Sequence, residues 1–189
     1  MMTGTIRTFI AFETPAVVRE KVVALLVQLQ ESRADVRWES VDKFHITIKF
    51  LGDVGEAQLP EIFGLIERAA RTTTGFSITY SGLGAFPNKK QPRVIWIGCE
   101  NPDGILLRFK NGLDAGLAPK GFEIEERAFH PHLTLGRVKG SGNIFHLTPM
   151  LENLTFEPQS IQVDEIVVMK STLRPQGSVY SILKKIHLQ

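Results

Sequence analysis

Two four-residue segments, His45-Ile46-Thr47-Ile48 and His132-Leu133-Thr134-Leu135, constrain this 189-residue chain more than any other feature. Both alternate polar and apolar residues. On a strand, successive side chains point to opposite faces, so His45 and Thr47 share one face and Ile46 and Ile48 the other. The same holds for His132 and Thr134 against Leu133 and Leu135. The apolar face can sit on a core while the polar face lines a cleft. Residues two apart on a strand are separated by roughly 6.6 Å, so both polar groups of one segment reach the same small anion. One segment lies in each half of the chain. Facing each other, they would put two imidazoles and two hydroxyls around one centre.

The flanking sequence predicts an α+β chain with antiparallel sheets. Residues 7–12 read as a buried strand. Thr14-Pro15 then reads as an N-cap followed by proline at the first helical position. Val18, Val22, Leu25, Leu26 and Leu29 give a helix over about 15–32. A strand over 44–51 is expected to end at Gly52-Asp53, before a helix over about 56–71. Strands are predicted at 76–80, 93–98 and 132–138, with a helix at about 103–117 between the last two. A short helix near 149–153 and strands at 161–169 and 178–186 complete the chain, residues 172–177 joining the last two strands. Several strand neighbours are joined by short turns, which disfavours a doubly wound parallel sheet.

The paired segments suit phosphoester chemistry. One imidazole takes a proton from water while the other, as imidazolium, gives one to the leaving oxygen. Histidine suits both roles because its ordinary pKa of about 6.5 lies near operating pH. The hydroxyls of Thr47 and Thr134 can donate to the non-bridging phosphate oxygens and hold the phosphorus in line. Neither a metal nor a cofactor is required. A third triplet, His146-Leu147-Thr148, precedes Pro149 and so fits a central strand badly. It reads as structural, with Thr148 as a helix N-cap and Pro149 at the first helical position.

Other functions are disfavoured. The net formal charge is +2, so any anion site must be local. The lone Cys99 excludes an intrachain disulfide and a cysteine-based zinc cluster. There is no Walker A loop, GxGxxG or His-Glu-x-x-His. No apolar run approaches the ~20 residues of a membrane span, and the first residues lack a signal-peptide core, so a cytoplasmic location without membrane partners is expected.

The two segments resemble the paired HxTx motifs of the 2H phosphoesterase superfamily. The wider pattern is similar to the RNA 2′,3′-cyclic phosphodiesterases, also called 2′-5′ RNA ligases. The resemblance rests on Arg7-Thr8-Phe9-Ile10-Ala11, His45 through Gly52, Phe86-Pro87 with Pro92-Arg93-Val94-Ile95-Trp96, Phe129 through Arg137, and Ser171-Thr172-Leu173-Arg174-Pro175 with Gly177 and Tyr180. These blocks span residues 6–186 in the family's order.

The resemblance implies a single bilobal domain over 1–189, with two pseudo-duplicated lobes, antiparallel sheets lining a central groove and helices outside. It implies hydrolysis of a 2′,3′-cyclic phosphate at an RNA 3′ end to a 2′-phosphomonoester, with 2′-5′ ligation at the same site. It gives His45 the role of proton donor to the leaving 3′ oxygen and His132 that of the base that activates water. It also suggests Arg137 as a phosphate ligand. On a regular strand Arg137 would point away from His132, so a bulge, twist or strand end at Gly136 is needed. An aromatic near the opening strand stacks on a base in some relatives; here Phe9 and Phe12 are the candidates. Lys89, Lys90, Arg93 and Arg174 could steer RNA or be solvated loop charges. The alternatives are a 2H enzyme acting on another cyclic phosphate, such as a cyclic nucleotide, and a nucleotide- or RNA-binding module without turnover. A monomer is the simplest expectation at this size.

Overall fold

Alternating apolar residues set up most of the strands, and one continuous antiparallel sheet gathers them. The computed structural model describes residues 4–175 and 177–189. The strands are β1 (Thr5–Glu13), β2 (Val36–Trp38), β3 (His45–Gly55), β4 (Phe76–Phe86), β5 (Val94–Glu100), β6 (His132–Val138), β7 (Gln159–Val163), β8 (Glu165–Arg174) and β9 (Gly177–His187). The helices are α1 (Ala16–Gln30), α2 (Leu59–Ala70), α3 (Ile105–Leu117) and α4 (Ile144–Asn153).

The strand order is β7-β4-β5-β6-β3-β1-β8-β9, with β2 paired to β6. It divides into two four-stranded halves with a His-x-Thr strand, β3 or β6, at the inner edge of each. The halves join at one register pair, Ile46 opposite Leu133. At the outer edges, Leu188 N–H donates to the Asp164 carbonyl and Gln189 N–H to the Thr73 carbonyl, while Gly75 N–H donates to Gln189. These bonds curl the sheet.

The helices cover one face. Val18, Val22, Leu25, Leu26 and Leu29 of α1 are buried, as are Ile62 and Ile66 of α2, Leu106, Phe109 and Leu113 of α3, and Leu147 and Leu151 of α4. They share one core with Ile46, Ile48, Leu133 and Leu135. Burying these apolar side chains contributes about 1.5–3 kcal/mol each before the entropy cost of ordering them. The polar faces of β3 and β6 are thereby turned to the uncovered side.

Several local expectations are corrected. Thr14 does not cap α1. Its hydroxyl accepts a hydrogen bond from buried Tyr80 at 3.2 Å, and Pro15 holds the N-cap position. β3 runs on through Gly52, whose positive φ of 70° continues the ladder instead of ending it. β4 likewise runs on to Phe86, with Gly82 as an extra residue at a register shift. α4 begins at Ile144, after Asn143 in the left-handed conformation, so Thr148 is no cap and Pro149 lies inside the helix. The strand expected at 161–169 is cut at Asp164, because β7 pairs with β4 and β8 with β1 in the other half. β2 was not anticipated.

Candidate active site

The register at the join sets the geometry of the site. With Ile46 opposite Leu133, one step either way brings His45 level with Thr134 and Thr47 level with His132. Opposed residues in an antiparallel pair have Cβ atoms about 5 Å apart. The two imidazoles and two hydroxyls therefore face one centre, the histidines on one diagonal and the threonines on the other. All four line one groove of about 430 Å³, together with Arg137.

Both histidines are held the same way. The carbonyl of Lys43 lies 2.6 Å from Nδ1 of His45, and the carbonyl of His130 lies 2.7 Å from Nδ1 of His132. A carbonyl only accepts, so each Nδ1 carries the proton that it donates. That leaves Nε2 of each ring for substrate. In each motif the accepting carbonyl is two residues before the histidine, so the duplication extends to the tautomer lock.

Burial lowers the pKa of both histidines, partly offset by these backbone bonds. The neighbouring His132 depresses His45 further, and His130 and Arg137 do the same to His132. His45 is seated on aromatic rings: Phe9 at 4.9 Å and Tyr180, edge-on, at 5.1 Å between centroids. His132 meets Phe86 edge-on at 5.1 Å and Trp96 at 6.3 Å. Trp96 lies over Gly84, where a Cβ would run into the indole.

Arg137 reaches the groove through the required irregularity. Gly136 opposes Ile95 while Thr134 opposes Trp96, so Leu135 is an extra residue on β6. This β-bulge shifts the alternation by one and turns Arg137 to the face of His132. Glu39 Oε1 stands 3.9 Å from Arg137 Nε. A matching shift at Ile48 in β3 directs Lys49 to the core and Phe50 outward.

Of the two aromatic candidates, Phe9 lies beneath His45 in the groove wall, whereas Phe12 packs in the core against Phe76. The exposed aromatic in the groove wall is Phe50, at 59%. Regular alternation assigns it to the face opposite His45 and Thr47, and only the Ile48 bulge brings it round to theirs, so sequence reasoning missed it. Phe50, Thr47 and His132 are shared with a second, mostly apolar cleft of about 560 Å³, whose walls include Phe86, Phe129, His130 and Arg93. Tyr180, Glu39, Arg37 and Lys43 also line the histidine groove. None lies in an HxTx segment; Tyr180 falls in a resemblance block, and proximity reveals the other three. Lys89 and Lys90 sit away from the groove. Among the described residues no cluster of three metal-ligating side chains occurs, and no helix is long and apolar enough to cross a membrane.

Two tautomer-locked histidines, each with a threonine, across the seam of a duplicated antiparallel sheet define a two-histidine phosphoesterase. Comparison with known proteins gives the family. The chain belongs to the LigT-like phosphoesterases, whose family model matches it twice, over residues 13–96 and 97–180, once for each HxTx motif. It is 34% identical over 177 residues to the RNA 2′,3′-cyclic phosphodiesterase of Thermotoga maritima, covering 94% of this chain and 92% of that protein. It is also 34% identical over 184 residues to the protein of that name from Methanothermobacter thermautotrophicus, covering 97% and 99%. Among solved structures, E. coli LigT in apo form superposes with a TM-score of 0.78 at 27% identity, covering 98% of this chain and 99% of that one. The same E. coli protein has been crystallised with 3′-AMP.

Proposed function

We propose that the protein is an RNA 2′,3′-cyclic phosphodiesterase that opens the cyclic phosphate at an RNA 3′ end to a 2′-phosphomonoester. The observation that carries this reading is the matched pair of imidazoles, each locked with Nε2 free and each level with a threonine across the β3–β6 seam. The named relatives act on this substrate class by their names.

In the reaction, water attacks phosphorus as the P–O3′ bond breaks. His132 Nε2 takes the proton from water and His45 Nε2 gives one to O3′. The two sites are related by the internal duplication, so geometry alone is symmetric between these roles. The family resemblance supports His45 as acid and His132 as base. Thr47 and Thr134 donate to the non-bridging oxygens, and Arg137 balances the single negative charge. The apolar cleft beside His132 takes the base, stacked on Phe50. The same site would join 2′-5′ ends when run in the synthetic direction. We place the protein in the cytoplasm, where the buried thiol of Cys99 needs no partner.

The test is hydrolysis of an oligonucleotide ending in a 2′,3′-cyclic phosphate, with excess chelator, by wild type and His45→Ala. A 2′-phosphate product from wild type alone supports the scheme. No product from folded wild type refutes it, and loss of wild-type activity on chelation refutes the metal-free proton transfers.

A further inference from the structure

Arg37 stands directly opposite Arg137 in the β2–β6 ladder. Its neighbours Val36 and Trp38 pack toward the core, so Arg37 is turned into the groove beside Arg137. Like charges directly opposed on a sheet are destabilising. A broken local rule of this kind is a mark of function. Arg37 Nη1 and Lys43 Nζ each lie 3.9 Å from the point where a Cβ on Gly177 would stand. The two cationic heads thus flank one small space beside Gly177 at the start of β9.

Charge counting gives that space an occupant. The groove lining carries Arg7, Arg37, Lys43 and Arg137 against one carboxylate, Glu39. Arg7 is opposed by Asp53 in the ladder, and Arg137 is close to Glu39. Among the described residues Arg37 and Lys43 form no ion pair with a carboxylate. A cyclic phosphodiester has a single negative charge, which Arg137 and the two threonines already answer. The surplus cations answer a second phosphate. On ribose, the C2′–C3′ edge bearing the cyclic phosphate lies between C1′, which carries the base, and C4′, which leads to the 5′ oxygen. The apolar cleft meets the groove at Thr47, Phe50 and His132, whereas Arg37 and Lys43 line the groove alone. Base and 5′ phosphate can therefore leave the histidines in different directions.

We propose that Arg37 and Lys43 form a second phosphate subsite, which takes the phosphate on the 5′ side of the terminal nucleoside and selects RNA ends over mononucleosides. This rests on the cyclic phosphodiesterase reading above. The test compares kcat/KM for a nucleoside 2′,3′-cyclic phosphate with and without a 5′-phosphate, in wild type, Arg37→Gln/Lys43→Gln and Arg37→Lys. Hydrogen bonds to charged groups imply a wild-type preference of at least about tenfold for the 5′-phosphorylated substrate. The preference should fall toward one in the double variant and survive in part in Arg37→Lys. It should also weaken with salt in wild type and lose that salt dependence in the double variant. Equal rates on the two substrates in wild type, or an undiminished preference in the double variant, would overturn the subsite and leave the cyclic phosphodiesterase intact. Hydrolysis of neither substrate, nor of the longer oligonucleotide, would overturn the parent reading instead.

Discussion

Asp114 lies between two buried lysines, and its replacement by asparagine tests how the loop before His132 is held. Its oxygens lie 2.6 Å from Lys49 Nζ and 2.6 Å from Lys110 Nζ, with all three side chains nearly inaccessible to solvent. The two ammonium groups hold its carboxyl below the usual range despite burial, which acts in the opposite direction. Lys49 also donates to the carbonyl of Glu123 at 2.7 Å, tying β3 to the segment that leads to Phe129 and His130. Asp114→Asn keeps the shape and removes the charge. Two ammonium groups bridged by one carboxylate are about 6 Å apart, and at an effective dielectric of ~20 their uncovered repulsion is about 3 kcal/mol. Removing one partner of a buried pair typically costs about 3–5 kcal/mol. Urea unfolding at pH 7 should therefore show a loss in that range, a large share of the ~5–15 kcal/mol that such domains possess. A loss under about 1 kcal/mol would show that the three side chains do not act as one buried charge group, and the reasoning would fail.

His45→Ala and His132→Ala should each lower kcat by about 10²–10⁴-fold, and the double variant should lose less than their product, since the two act as a unit; multiplicative loss would separate them. With both pKa values lowered, kcat/KM should follow a bell whose optimum lies below about pH 6.5, and bound phosphate should displace the kcat profile upward; flat profiles from pH 5 to 9 would contradict paired histidines. The same shifts bear on stability. Above the usual histidine range neither ring is charged in either state, and as pH falls through it the unfolded chain gains protons that the folded chain resists. Stability should be lost toward acid, and a double His→Gln variant should show a shallower loss in calorimetry. Phe50→Ala should raise KM about 5- to 100-fold for base-bearing substrates and leave ribose 2′,3′-cyclic phosphate unaffected; an equal effect on both would remove Phe50 from base contact.

Much of the site is legible in the sequence because strand alternation is a local rule. His45, Thr47, His132 and Thr134 follow from period-two spacing, and the antiparallel α+β fold from strands joined by short turns. The order of the resemblance blocks supplies the duplication. Arg137 shows the limit: parity assigns it to the wrong face, and only the Leu135 bulge restores it. Phe50 is hidden by the shift at Ile48. Thr14 illustrates another kind of miss, since a capping hydroxyl is also a good acceptor and the distant Tyr80 claimed it.

Side-chain direction along the unbulged stretches of each strand, helix faces and residue chemistry depend on near neighbours in the chain, and the sequence alone determined them. The pairing of β3 with β6, the cut at Asp164, the opposed Arg37 and Arg137, and the buried Lys49–Asp114–Lys110 group join residues far apart in the chain or turn on bulges. Their energies depend on which strand lies alongside and how its register slips, which only the assembled sheet decides.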